Sequence, residues 1–94
     1  PALPELPTVS ESGLKGYQSS QWYGLLAPAG TSPEILNFLN GHAVKIMQTA
    51  EMKERMKTSG SVAVGSTREA FAKFLNSEFS KWAKVIRDSG ATVD

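Results

Sequence analysis

Ninety-four residues, 40% hydrophobic and 20% charged, fit one small soluble domain or a piece of a larger one. Ten Lys and Arg against nine acids give a net charge of +1, which excludes a broad basic field for nucleic acid or an anionic membrane. The lack of cysteine excludes disulfides, thiolate metal sites and a cysteine nucleophile.

The opening "PALPELPTV" has no basic segment followed by an apolar core, so it is not a signal peptide. It also has no Met, and the chain reads as processed or truncated. No apolar run approaches the roughly 20 residues of a membrane span. Residues 1–20 are expected to be irregular, because Pro1, Pro4 and Pro7 remove backbone donors and block a regular helix. One helical turn is expected in "TVSESGLKG", opened by Thr8 or Ser10 and stopped by Gly13. Twenty irregular residues are many for a compact domain, so this stretch is expected to lie against something larger.

Residues 21–27, "QWYGLLA", favour a strand, since Trp and Tyr suit a pleated surface. Trp22 and Tyr23 then point to opposite faces. Pro28 ends the strand and Gly30 frees the turn. A helix follows, capped by Thr31 or Ser32, with Pro33 in its first turn and Glu34 at the positive end of the dipole. Ile35, Leu36, Leu39, Ala43, Ile46 and Met47 form its apolar stripe, and Gly41 interrupts it at a cost of roughly 1 kcal/mol. A second helix starts after a bend around residues 48–50, with Thr49 as cap and Gly60 as left-handed stop.

"SVAVG" reads as a short strand. The last helix is the best defined. Ser66 with Glu69 matches a capping box, Thr67 is the rival cap, and Gly90 is the stop. Phe71, Phe74, Leu75, Phe79, Trp82, Val85 and Ile86 give it a wide apolar face. Trp82 is expected in the core. The order loop, strand, helix, helix, strand, helix gives an α/β class with about three helices and two short strands. Two short strands make no stable sheet alone. The chain is therefore expected either to associate with copies of itself or to be part of a longer α/β protein.

Catalytic chemistry finds little support. His42 is the only histidine and sits mid-helix, so no His pair can complete a metal site. Serine never occurs as G-x-S-x-G. Glu51, Glu54, Glu69 and Glu78 lie among lysines and arginines, as on solvated helix faces. No catalytic residue, metal ligand or cofactor is assigned, and the chain is read as not an enzyme. An enzyme using His42 or a serine ranks below a helical interaction module that docks a partner on its aromatic C-terminal helix.

The ordered segments "LPTVSESGLKGY", "WYGLLAPAGTS", "EMKERMKTSG" and "VGSTREAFAKFLNSEFSKWAKVIRDSG" resemble the C-terminal third of the Bug receptors, the substrate-binding proteins of tripartite tricarboxylate transporters. The resemblance covers essentially the whole chain. The sequence departs from the family pattern at Ser32, Ala50 and Arg68, where first-turn prolines are usual; this bears on helix starts. The resemblance implies a periplasmic receptor of two α/β domains, a Venus flytrap-like fold. A small organic carboxylate or amino acid is held between the domains and delivered to the transporter's membrane components. A signal peptide is then expected upstream in the parent. Residues 1–20 would belong to the second domain or the hinge. Residues 21–30 would be the connecting strand and turn, and residues 31–94 would complete the first domain. The aromatic helix would cover that domain's sheet. Gln21, Trp22 and Tyr23 are the local candidates for the cleft rim or hinge, with Gly24 permitting the strand to bend.

Overall fold

A computed structural model describes residues 3–93, so Pro1 of the irregular opening and Asp94 lie outside it. Three helices form in order: α1 (Pro33–Met47), α2 (Ala50–Thr58) and α3 (Arg68–Ser89). Each starts where a hydroxyl satisfies an orphan N–H of the first turn. Ser32 Oγ accepts from Ile35 N at 3.3 Å, ahead of Pro33. Thr31 turns back instead, donating to the Pro28 carbonyl at 2.7 Å. Thr49 caps α2 by accepting from Met52 N, and its hydroxyl donates to Ile46 O at the end of α1. This double duty fixes the bend between the two helices. Gly60 and Gly90 both adopt left-handed backbone, at φ 73° and 70°, and stop α2 and α3.

At α3 the cap is Thr67, whose Oγ1 accepts from Ala70 N at 3.1 Å, and the expected Ser66 capping box does not form. Ser66 is used elsewhere: its carbonyl accepts from Asn40 Nδ2 at 3.1 Å. Thr67→Ala is therefore expected to cost about 1 kcal/mol, with Ser66→Ala near neutral. Thermal unfolding followed by helical circular dichroism checks this, and a larger loss at Ser66 would reverse the assignment.

The loop before α3 is pinned to α1. Gly65 sits at φ 59°, where a Cβ would lie 3.2 Å from Met47 Cβ. Arg68 Nη1 donates to Asn37 Oδ1 at 2.9 Å. In the opening segment Thr8 and Glu11 cap each other reciprocally: Thr8 N donates to Glu11 Oε2 at 2.8 Å, and Glu11 N donates to Thr8 Oγ1 at 3.2 Å. The Thr8 backbone N–H, followed by its side-chain hydroxyl, holds the Glu11 carboxyl below the ordinary glutamate range.

The described residues contain no strand, which corrects the α/β, flytrap-like expectation for this chain: it is an all-helical fragment. The three expected helices are present, but residues 21–27 and 61–65 are not strands. The first rests on α3 through Trp22 and Gly24, and the second is held against α1 through Gly65. Neither meets a backbone ladder, and a strand requires one.

No described residue is fully buried. The accessible surface is 8442 Å², where a compact monomer of this mass exposes about 5,300 Å². The radius of gyration is 16.7 Å, against about 12 Å for a compact chain of this length.

Candidate functional site

The segment that carries the predicted site residues crosses the N-terminal half of α3. Trp22 stands edge-on to Phe71 and Phe74, with ring centroids 5.9 and 5.2 Å away and interplanar angles of 79° and 80°. These are favourable aromatic geometries, in which a ring edge meets a neighbour's negative face. Phe71 and Phe74 stack at 6.4 Å and form the platform. Gly24 makes the approach possible: a Cβ there would fall 2.3 Å from Phe71 Cζ.

The neighbours of Trp22 point away from that platform. Tyr23 is 88% exposed, where Trp22 is 39% exposed. Gln21 Nε2 donates to the Tyr23 hydroxyl at 2.9 Å, which places residues 21 and 23 on one side. The alternation expected of a strand thus appears here without strand hydrogen bonds. Of the three predicted residues, the structure pairs Gln21 with Tyr23 in solvent and sends Trp22 into the α3 contact.

A second feature adjoins this one and had no signal in local sequence. Residues 16–19 run beside the C-terminal half of α3, leaving an open groove of about 470 Å³ lined by Tyr17, Gln18, Lys81, Trp82 and Val85 among others. Lys81 Nζ donates to the Gln18 carbonyl and lies 5.1 Å from the centre of the Trp82 ring. The Trp82 indole N–H donates to Glu78 Oε2 at 2.7 Å. Trp82 is therefore not a core residue; it is 37% exposed and forms a groove wall.

His42 is remote from both features in sequence and rests against Phe38, one helical turn earlier, at 4.4 Å between ring centres. Among the described residues no group of three or more His, Asp and Glu gathers to hold a metal ion. No described helix is long and apolar enough to cross a membrane. The chemistry on display is that of contact: stacked rings, an anchored ammonium, and an amide–phenol pair.

Residues 1–91 match the family model described as the Tripartite tricarboxylate transporter family receptor. The chain is 33% identical over 89 residues to Protein BugT of Bordetella pertussis, which covers 95% of this chain and 27% of that protein. It is 34% identical over 87 residues to a protein of the tcbD-tcbE intergenic region of a Pseudomonas species, covering 92% of this chain and 26% of the relative. A relative from the TAR-I ttuE-ttuC' intergenic region of Agrobacterium vitis is 33% identical over 91 residues, again 26% of its length. The chain thus spans about a quarter of the length of these three relatives. No solved structure matches it.

Proposed function

The chain belongs to the tripartite tricarboxylate transporter receptor family, and from that premise we propose that it is part of an extracytoplasmic solute receptor rather than an enzyme. The receptor takes a small organic carboxylate or amino acid between two domains in the periplasm and delivers it to the membrane components of a tripartite transporter. The observation that carries this reading is the family match over residues 1–91, supported by relatives of about one-third identity across nearly the whole chain.

Residues 21–30 take a connecting role in this scheme, and their contacts at both ends support it. Trp22 anchors the segment on α3. The turn at Pro28–Thr31 then leads directly into the Ser32 cap of α1. Gln21 and Tyr23 present an amide and a phenol outward, and both can donate to a carboxylate at a cleft rim. Trp22 is the anchor of that rim and not a ligand contact.

The test is a thermal-shift screen of the receptor-length protein with a carboxylate and amino-acid panel. A true ligand is expected to stabilise it by about 2.7 kcal/mol at one hundred times its dissociation constant. Tyr23→Phe and Gln21→Ala are expected to weaken that ligand several-fold. Silence across the whole panel would remove the carboxylate-receptor reading. A ligand that ignores both substitutions would remove residues 21 and 23 from the rim.

A further inference from the structure

Residues 18–27 are held in place without backbone pairing. Among the described residues, none of them shares a hydrogen bond with another main-chain group. Side chains hold the segment instead, at two points of different kinds. Trp22 rests edge-on against Phe71 and Phe74 in the N-terminal half of α3. Lys81, about two helical turns further along, donates to the Gln18 carbonyl, and among the described residues this is the one hydrogen bond that joins the segment to α3.

Upstream of Gln18 the chain closes on itself. Ser12 N donates to the Thr8 carbonyl at 3.0 Å and Leu14 N to the Val9 carbonyl at 3.3 Å. Gly16 N donates to Ser10 Oγ at 2.9 Å, and Tyr17 N to the Leu14 carbonyl at 3.0 Å. Residues 8–17 thus form one small body of turns. Ser19 and Ser20, both exposed, separate it from the Trp22 anchor.

The position of Lys81 is itself defined. It is half-buried, between exposed Ser80 and Trp82. Its ammonium lies 5.1 Å from the centre of the Trp82 ring, whose N–H is tied to Glu78 Oε2 at 2.7 Å. A lysine stem is flexible, and a ring fixed in this way limits where the stem ends.

We infer that Lys81 is a positioning residue, a latch that holds the turn body of residues 8–17 to α3. It limits the swing of that body about Ser19 and Ser20, while Trp22 keeps the downstream chain seated. The consequence for binding rests on the receptor reading, in which residues 1–20 belong to the second domain or hinge and α3 to the first domain. Lys81 then reaches across the boundary that bends when the cleft closes. The latch narrows the range of domain angles before ligand arrives. Closure has less freedom to remove, and affinity rises.

The chain has no cysteine, so two introduced thiols can carry nitroxide labels. Lys15→Cys on the turn body and Lys73→Cys on α3 report their separation by pulsed electron resonance. The parent 94-residue chain is expected to give a narrow distance distribution. Lys81→Met keeps the aliphatic stem but removes the donor and is expected to broaden it. Lys81→Arg is expected to restore it. Lys84→Met removes the same charge three residues along and is expected to leave it narrow. Nuclear Overhauser contacts of Trp22 with Phe71 and Phe74 are expected to survive in all of these. In the receptor-length protein, Lys81→Met is expected to weaken the ligand found by the thermal-shift screen several-fold, with Lys81→Arg restoring it and the unliganded Tm unchanged.

A distribution equally broad or equally narrow in the parent and Lys81→Met would overturn the latch, whatever the receptor binds. Loss of the Trp22 contacts in Lys81→Met would show one hold in place of two and overturn it as well. A broadened distribution with unchanged or tighter affinity would overturn the control of binding. Silence across the ligand panel would count against the receptor reading, and the label distances would still decide the latch.

Discussion

Replacing Gly24 by Ala or Val is expected to prise residues 21–24 off α3 at a cost of about 1–3 kcal/mol, the range for overpacking a filled site. The new Cβ would fall 2.3 Å from Phe71 Cζ and about as close as non-bonded atoms ever come to Cε1 and Cε2, at 3.1 and 3.0 Å. The ring cannot simply swing aside, because Trp22 stands edge-on to it and Phe74 stacks beside it. Relief therefore requires either the ring to leave its platform or the backbone to lift. In a Trp82→Phe background Trp22 is the sole indole, so its emission should shift to longer wavelength as the segment lifts. Helical circular dichroism should barely change, since α3 keeps its Thr67 cap and Gly90 stop. Gly41→Ala is the counterpart: a Cβ there meets nothing within 4 Å, and the exchange should stabilise α1 by about 0.5–1 kcal/mol. Unchanged stability and emission in Gly24→Val would show that the close approach to Phe71 does not exist in solution.

The second large effect is expected at Trp22 itself. Truncating a buried Trp to Ala costs about 3–5 kcal/mol; the 39% exposure of Trp22 reduces this to about 2–3 kcal/mol. Part of the loss belongs to specific ring geometry. A double-mutant cycle of Trp22→Ala with Phe74→Ala should return a coupling of about 0.5–1.5 kcal/mol. Tyr23→Ala, one residue along and 88% exposed, should stay within about 0.5 kcal/mol of the parent. Chemical denaturation of the parent and the four variants measures all of this. Equal losses at positions 22 and 23 would contradict the division between anchor and outward-facing residue.

Helix ends proved readable because their signals are local. Ser32, Thr49, Gly60 and Gly90 act within four residues of where they stand. Even the rivalry between Ser66 and Thr67 was visible. What decided it was not, since the Ser66 carbonyl answers to Asn40, 26 residues away. The two strand expectations failed for a related reason. Alternating aromatics and aliphatics report that one side of a segment meets a neighbour, and here that neighbour is α3, through Trp22, and not a sheet. A ladder depends on a second backbone, about which local composition says nothing.

The candidate site shows the same division. The opposed directions of Trp22 and Tyr23 followed from spacing alone. The amide–phenol bond from Gln21 to Tyr23 is a two-residue contact that the same spacing permits. The groove of residues 16–19 with Lys81 and Trp82 lay beyond reach, because it joins an irregular segment to a helix 63 residues later. Trp82 was misplaced in the core because a helical stripe shows which side is apolar, not how much of it finds a neighbour.

The two pins described above also set an order of assembly. Asn40 to Ser66 closes a loop of 26 residues, whereas Lys81 to Gln18 closes one of 63. Closure entropy grows with the logarithm of loop length, so the longer closure costs about 0.8 kcal/mol more. It is also made by one exposed lysine and a backbone carbonyl. The clasp between α1 and the start of α3 should therefore close early, and the segment through Gln18 should dock last. Under rising denaturant the sequence reverses. The amides of residues 17–24 should exchange hydrogen well before those of the helices, so the proposed connecting segment is also the part of the molecule that opens first.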